Sequence, residues 1–103
     1  MLHYCNRNGV EISRRSWTSL LERDGYQSVA TTDLGDRLVA TTWVGVYDDA
    51  EDPAAYAFVT GLYERSPSRM GPGAWWKPAG ELILSVSEDD ALLAHRRILA
   101  VAA

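Results

Sequence analysis

Two histidines, one cysteine and a run of carboxylates are the side chains here that could do chemistry. His95 stands one turn from Ala91 and Ile98, beside an apolar stripe, where an imidazole can serve as base, metal ligand or satisfied structural group. His3 lies at the other end of the chain, and no H-x-x-x-H or H-E-x-x-H spacing brings two imidazoles onto one metal. Asp48, Asp49, Glu51 and Asp52 form an acidic cluster. Such clusters hold Ca²⁺ or Mg²⁺ when a glycine turns the ligand loop, and this one has no such glycine. It reads as a solvated turn, or as a patch offered to a basic partner, with no metal bound. Cys5 is the single cysteine, so an internal disulfide and a Cys-based zinc site are excluded and a structural role is expected. Ser16, Thr18 and Ser19 lack the His and Asp spacing of a triad, and Gly71-Pro72-Gly73 lacks the Gly-Lys-Ser/Thr of a phosphate loop. No catalytic residue and no cofactor follow from these positions. The enzyme reading that survives has His95 meeting Asp48 and Asp49 in a cleft.

A different chemistry is written between residues 65 and 80. Three prolines and three glycines suppress regular structure there, so the segment is expected to be a long surface loop. It nevertheless carries Met70, Trp75 and Trp76 together with Arg65 and Arg69. Tryptophan and arginine are the residues enriched where proteins grip one another. Adjacent residues of an extended segment point opposite ways, so either one Trp covers the core and the other is partly exposed, or at least one of them contacts a partner. Arg65, Arg69, Met70, Trp75 and Trp76, with Asp48, Asp49, Glu51 and Asp52, are therefore the candidate partner-binding residues.

The elements that must position these residues can be read in order. Asn8-Gly9 is a hairpin signal, because both residues tolerate positive φ; it joins short strands at residues 2–6 and 10–12. Ser13 is placed to cap a first helix, with Ile12 and Trp17 at the two staple positions and the end near Asp24, before Gly25. Residues 27–33 form a Val- and Thr-rich strand, and Leu34-Gly35-Asp36 is a tight turn. Residues 37–47 read as one long strand, with Val39, Thr41, Trp43 and Gly45 on one face and apolar residues on the other, the pattern of a central strand. Residues 54–64 carry mixed signals; Tyr56, Phe58, Val59, Thr60 and Tyr63 favour a strand over a helix. Residues 81–86 form the last strand. Ser87 then caps a final helix with Glu88, Asp89 and Asp90 in its first turn. Trp17, Trp43 and Leu92 are expected in the core.

The chain has 103 residues, 47% of them apolar or aromatic, enough for one core and too few for two. Ten basic against fourteen acidic residues give a net charge of −4, which argues against direct binding of duplex nucleic acid. No apolar run reaches the ~20 residues of a membrane span, and the opening Met1-Leu2-His3-Tyr4 lacks the basic and apolar regions of a signal peptide. With one cysteine, a reducing cytoplasm is the expected location.

The opening Tyr4-Cys5-Asn6-Arg7-Asn8-Gly9-Val10-Glu11-Ile12 with Trp17, the blocks Val29-Ala30-Thr31-Thr32 and Val39-Ala40-Thr41-Thr42-Trp43-Val44-Gly45-Val46, and the ending from Ser87 to His95 resemble a family of short proteins carried by tailed phages and by prophages of GC-rich bacteria. The likeness covers most of the chain outside residues 65–80. In the family pattern a His or Asp follows the long strand and a Glu sits inside the next one; here those places hold Asp49 and Val59. The missing Glu counts against any inherited carboxylate chemistry. The resemblance implies a phage or prophage setting and no particular activity.

The expected fold is a single α+β domain over residues 1–103, an antiparallel sheet of about five strands with the N-terminal and C-terminal helices packed on one face. The expected function is that of a small accessory protein of phage type in the host cytoplasm. It would act by binding a host or phage protein, with inhibition of a host defence protein as one form. The alternatives are the His95 enzyme and an assembly protein that self-associates, for instance as a homodimer, through a sheet edge.

Overall fold

A computed structural model of the chain describes residues 2–48, 57–67 and 74–102. The order of elements is β1 (Leu2–Cys5), β2 (Glu11–Ile12), α1 (Arg14–Glu22), β3 (Ser28–Asp33), β4 (Arg37–Trp43), β5 (Val46–Asp48), β6 (Phe58–Pro67), β7 (Ala74–Pro78), β8 (Ile83–Ser85) and α2 (Glu88–Ala102). The fold is α+β, and every strand pairing is antiparallel. The strands divide into a sheet of three, ordered β2-β1-β5, and a sheet of five, in which β3-β4-β6-β7 run side by side and β8 also pairs with β6.

Local chemistry sets the first elements. Gly9 has φ of 81°, and the Asn6 side chain accepts from the backbone N–H groups of Asn8 and Val10, which closes the first hairpin. Ser13 caps α1 by accepting from the Ser16 N–H at 3.1 Å. Ser87 does the same for α2, accepting from the Asp90 N–H at 3.2 Å.

Two expectations need correction. The stretch 37–47 is not one strand. It stops at Trp43, turns at Gly45 with φ of 67°, and continues as β5 in the other sheet. The N–H groups of Val44 and Gly45 both reach the Ala57 carbonyl, and the Cys5 N–H reaches the Gly45 carbonyl, so the corner is hydrogen-bonded to both sheets. A residue that favours a left-handed backbone moves the chain from one sheet to the next, which strand periodicity does not reveal. The segment 65–80 is likewise not a loop throughout. β6 runs on to Pro67 and pairs with β7 from Tyr63↔Pro78 to Pro67↔Ala74. The prolines are tolerated because they stand at strand ends on the sheet edge, where a missing N–H breaks no ladder.

Strand β4 is central, as its doubly apolar pattern implied: β3 lies on one side and β6 on the other. On one face of the larger sheet, the rows Trp43–Phe58–Ser85 and Thr41–Thr60 are buried beneath α2. Cys5, Trp43, Ala57, Phe58 and Ala91 form the core, and Trp17, Leu20, Leu21, Tyr26 and Val29 pack against it, so α1 and α2 share this side. Trp43 is fully buried; Trp17 and Leu92 are only half-buried.

Candidate functional site

Directly paired residues of neighbouring strands share a face, and successive residues alternate. The register therefore fixes what the other side of the larger sheet displays. One row there is Thr42–Val59–Leu84, the next is Thr31–Ala40–Gly61, and the third is Asp33–Leu38–Tyr63–Pro78. Leu82 lies over Gly61, where a Cβ would come 2.5 Å from its Cδ2 and 3.2 Å from the Tyr63 ring. Glycine at 61 thus makes room for Leu82 on this face. Neither helix packs here, and Leu84 and Leu82 remain 47% and 44% exposed. The two inner rows carry no charge; Asp33 stands at one corner and Arg65 lies two residues beyond Tyr63.

Beyond this face β6 and β7 continue as a two-stranded ribbon. β4 pairs with β6 only as far as Arg37↔Glu64, so Arg65↔Trp76, Ser66↔Trp75 and Pro67↔Ala74 lie past its edge. Trp76 is 38% exposed, directly opposite exposed Arg65, and the pair falls on the same side as Tyr63. The Arg65 N–H is held by the Asp36 carbonyl at 2.8 Å, while its guanidinium has no partner among the described residues. Next to them Lys77 pairs with Glu64 at 3.4 Å.

Of the residues singled out from sequence, Arg65 and Trp76 are brought together. Trp75 is on β7 and Asp48 is on β5, paired with Leu2, so the acidic cluster begins in the other sheet. Arg69, Met70, Asp49, Glu51 and Asp52 lie outside the described residues, as do the side chains of Asp48 and Trp75. Among the described residues no three His, Cys, Asp or Glu side chains gather as a metal site would require. No described helix is long and apolar enough to cross a membrane. Cys5 is buried, and burial pushes its thiol above the ordinary value, away from a reactive thiolate.

His95 is buried, 4% exposed, between α2 and the larger sheet. Its Nε2 meets Thr32 Oγ1 at 3.0 Å and its Nδ1 meets Thr41 Oγ1 at 2.9 Å. Thr41 Oγ1 in turn meets Thr60 Oγ1 at 2.9 Å, and Thr60 donates to the Ala91 carbonyl at 3.3 Å. Both imidazole nitrogens are thus taken by hydroxyls, and among the described residues no carboxylate bonds to the ring. Sequence reasoning missed this chain. Its signal was the presence of Thr41 and Thr60 at inward strand positions, since a buried hydroxyl requires a partner.

The fold and its two faces define an α+β domain in which helices cover one side of the main sheet and leave the other side apolar. The chain matches no protein-family model, no curated protein and no solved structure.

Proposed function

We propose that the chain is a small interaction protein that binds another protein through the uncovered face of its larger sheet and the adjoining ribbon. The observation that carries this reading is the uncharged surface of Leu38, Val59, Tyr63, Leu82 and Leu84, which neither described helix covers. Interface centres are depleted in charge and enriched in aromatic residues, with arginine at the anchors. Trp76 and the guanidinium of Arg65, which has no partner among the described residues, add both at the rim. The fitting partner presents an apolar patch with a carboxylate placed for Arg65. The phage-type resemblance supplies the setting: an accessory protein acting on a host or phage protein in the host cytoplasm, with inhibition of a defence protein as one form.

The test compares the wild-type chain with Leu84→Asp by quantitative affinity capture from host extract and by sedimentation. Leu84 is exposed, so the variant keeps its fold, which a thermal melt verifies. Loss of a wild-type partner from the Leu84→Asp capture supports the reading. Identical captures, with both chains monomeric, remove this face as an interface. A wild-type dimer that the variant dissolves turns the reading toward self-assembly.

A further inference from the structure

We infer that the Thr32–His95–Thr41–Thr60 chain holds His95 neutral with its proton on Nδ1, and that proton uptake by His95 releases the C-terminal half of α2 from the sheet. Counting hydrogens along the chain fixes the direction of every bond. A carbonyl oxygen only accepts, so Thr60 spends its one hydroxyl proton on Ala91. Thr60 must then accept from Thr41, which spends its own proton there. Thr41 is left to accept, so His95 Nδ1 carries the hydrogen of that bond. In the neutral ring Nε2 is an acceptor, and Thr32 donates to it.

A second proton on the ring reverses only the last bond: Nε2–H becomes the donor and Thr32 turns to accept. The hydrogen bonds survive, but a cation is now buried with no anion beside it among the described residues, and that is the costly part. Among the described residues the surrounding elements offer no anion. Toward this side β3 presents Thr32, while the neighbouring Asp33 turns away and accepts from the Gly35 N–H. β4 presents Val39 and Thr41, with Arg37 four residues off donating to the Ala102 carbonyl. β6 presents Thr60 and Leu62, with Glu64 four residues off and paired to Lys77. β8 presents Ser85. On α2, Glu88 lies two turns back and is held by Arg7, and Arg96 and Arg97 are exposed.

Burial lowers His95 below the ordinary value of 6.5. The docked helix therefore binds fewer protons than the released one. Docking is at full strength above 6.5 and weakens as the pH falls through that value, levelling off below the lowered value of the docked state. The Thr32 end of the chain is the half-exposed end, so water reaches the ring there first.

The test uses the whole chain carrying His3→Gln, which removes the other imidazole. Long-range ¹H–¹⁵N spectra at pH 7.5 should show Nδ1 protonated and Nε2 bare. Amide exchange, corrected for its intrinsic pH dependence, should accelerate from Ala94 to Ala102 below pH 6.5. The rise is up to about tenfold per pH unit, the most that one proton allows. Amides in β4 and β6 should hold. His95→Phe, if it folds, should lose the pH dependence; the wild-type ring spectra decide the tautomer regardless. A proton on Nε2 at pH 7.5, α2 protection indifferent to pH between 7.5 and 5, or loss of protection in helix and sheet together would each overturn the inference.

Discussion

The Trp43 indole lies against Gly45, so closely that a Cβ at Gly45 would stand 2.4 Å from both Cε2 and Cζ2 of the ring and 2.6 Å from the Cys5 carbonyl oxygen. The ring's own Nε1 donates to that same carbonyl at 3.2 Å. The sheet-switching corner and the largest core side chain are therefore one packing unit. Gly45→Ala should destabilise the protein by about 2–5 kcal/mol, from left-handed backbone strain plus overpacking against a ring that cannot retreat. Chemical denaturation measures this, and a loss below ~1 kcal/mol would separate the corner from the core.

Trp43 itself is fully buried and meets the Tyr26 ring edge-on at 4.9 Å between centroids. Trp43→Ala should cost about 3–5 kcal/mol, lost transfer energy plus a cavity. Typical domains hold only about 5–15 kcal/mol in total. The variant should thus melt far earlier or be unfolded at 37 °C, and a near-wild-type denaturation midpoint would contradict the packing described.

How much of this was legible beforehand depended on the range of the interaction. The Asn8-Gly9 turn, the Ser13 and Ser87 caps and the centrality of β4 were readable because a cap or a turn is decided within four residues, and a central strand shows itself in its own alternation. The corner at Gly45 was not, since the groups that bond it to both sheets, Cys5 and Ala57, lie far away in sequence. The β6–β7 ribbon was masked by Pro67 and Pro78, which signal a loop unless one knows that they sit at strand ends on an edge. Of the candidate site, Arg65 and Trp76 were legible from type alone. Their adjacency required the register Arg65↔Trp76, which sequence does not print. The open face was half legible: apolar residues on both sides of β4 implied two covering layers, and the absence of a helix from one of them became visible only in the fold.

Thr41→Val tests the buried polar chain. Thr41 is 1% exposed and both accepts from His95 and donates to Thr60. Removing its hydroxyl orphans the Nδ1–H of His95 at almost no change in volume, so the expected loss is about 1–3 kcal/mol. Thr41→Ser, which keeps the hydroxyl, should lose less than Thr41→Val. In the double variant Thr41→Val with His95→Leu, the losses should add to less than the sum of the singles, since the second change removes the orphaned donor. Strict additivity in urea unfolding would show that the two side chains are not coupled.

Arg7 ties the first hairpin to the start of α2. Its Nε donates to Glu88 Oε1 at 2.7 Å, its Nη1 donates to the Tyr26 carbonyl at 3.3 Å, and its guanidinium lies 5.6 Å from the Tyr26 ring centre. The pair with Glu88 is partly open to solvent, which holds its worth to about 1 kcal/mol. A double-mutant cycle of Arg7→Met and Glu88→Gln should give a coupling of that order. The coupling should shrink in 1 M salt, where the screening length falls to about 3 Å. A coupling that is unchanged by salt would assign the contact to packing on Tyr26 instead.

The ribbon separates binding from folding more cleanly than any core residue does. Trp76 and Arg65 face each other beyond the edge of β4, so neither takes part in the buried rows that join the sheet to α2. Both are exposed, and Trp76 contributes little to the core. Replacing either by alanine should leave the denaturation midpoint within the scatter typical of surface changes, about 0.5 kcal/mol. At an interface the same truncations remove an aromatic anchor and a planar donor, each typically worth about 2 kcal/mol or more, which is roughly thirtyfold in affinity. The measurement is a titration of the partner that wild-type chain captures and Leu84→Asp loses, run against Trp76→Ala and Arg65→Ala. Weaker binding by both variants extends the interface from the sheet face onto the ribbon. If Arg65→Lys also fails to restore affinity, the partner reads the forked guanidinium and not merely its charge. Unchanged affinity in both alanine variants, with binding still sensitive to Leu84, confines the contact to the sheet face and takes the ribbon out of recognition.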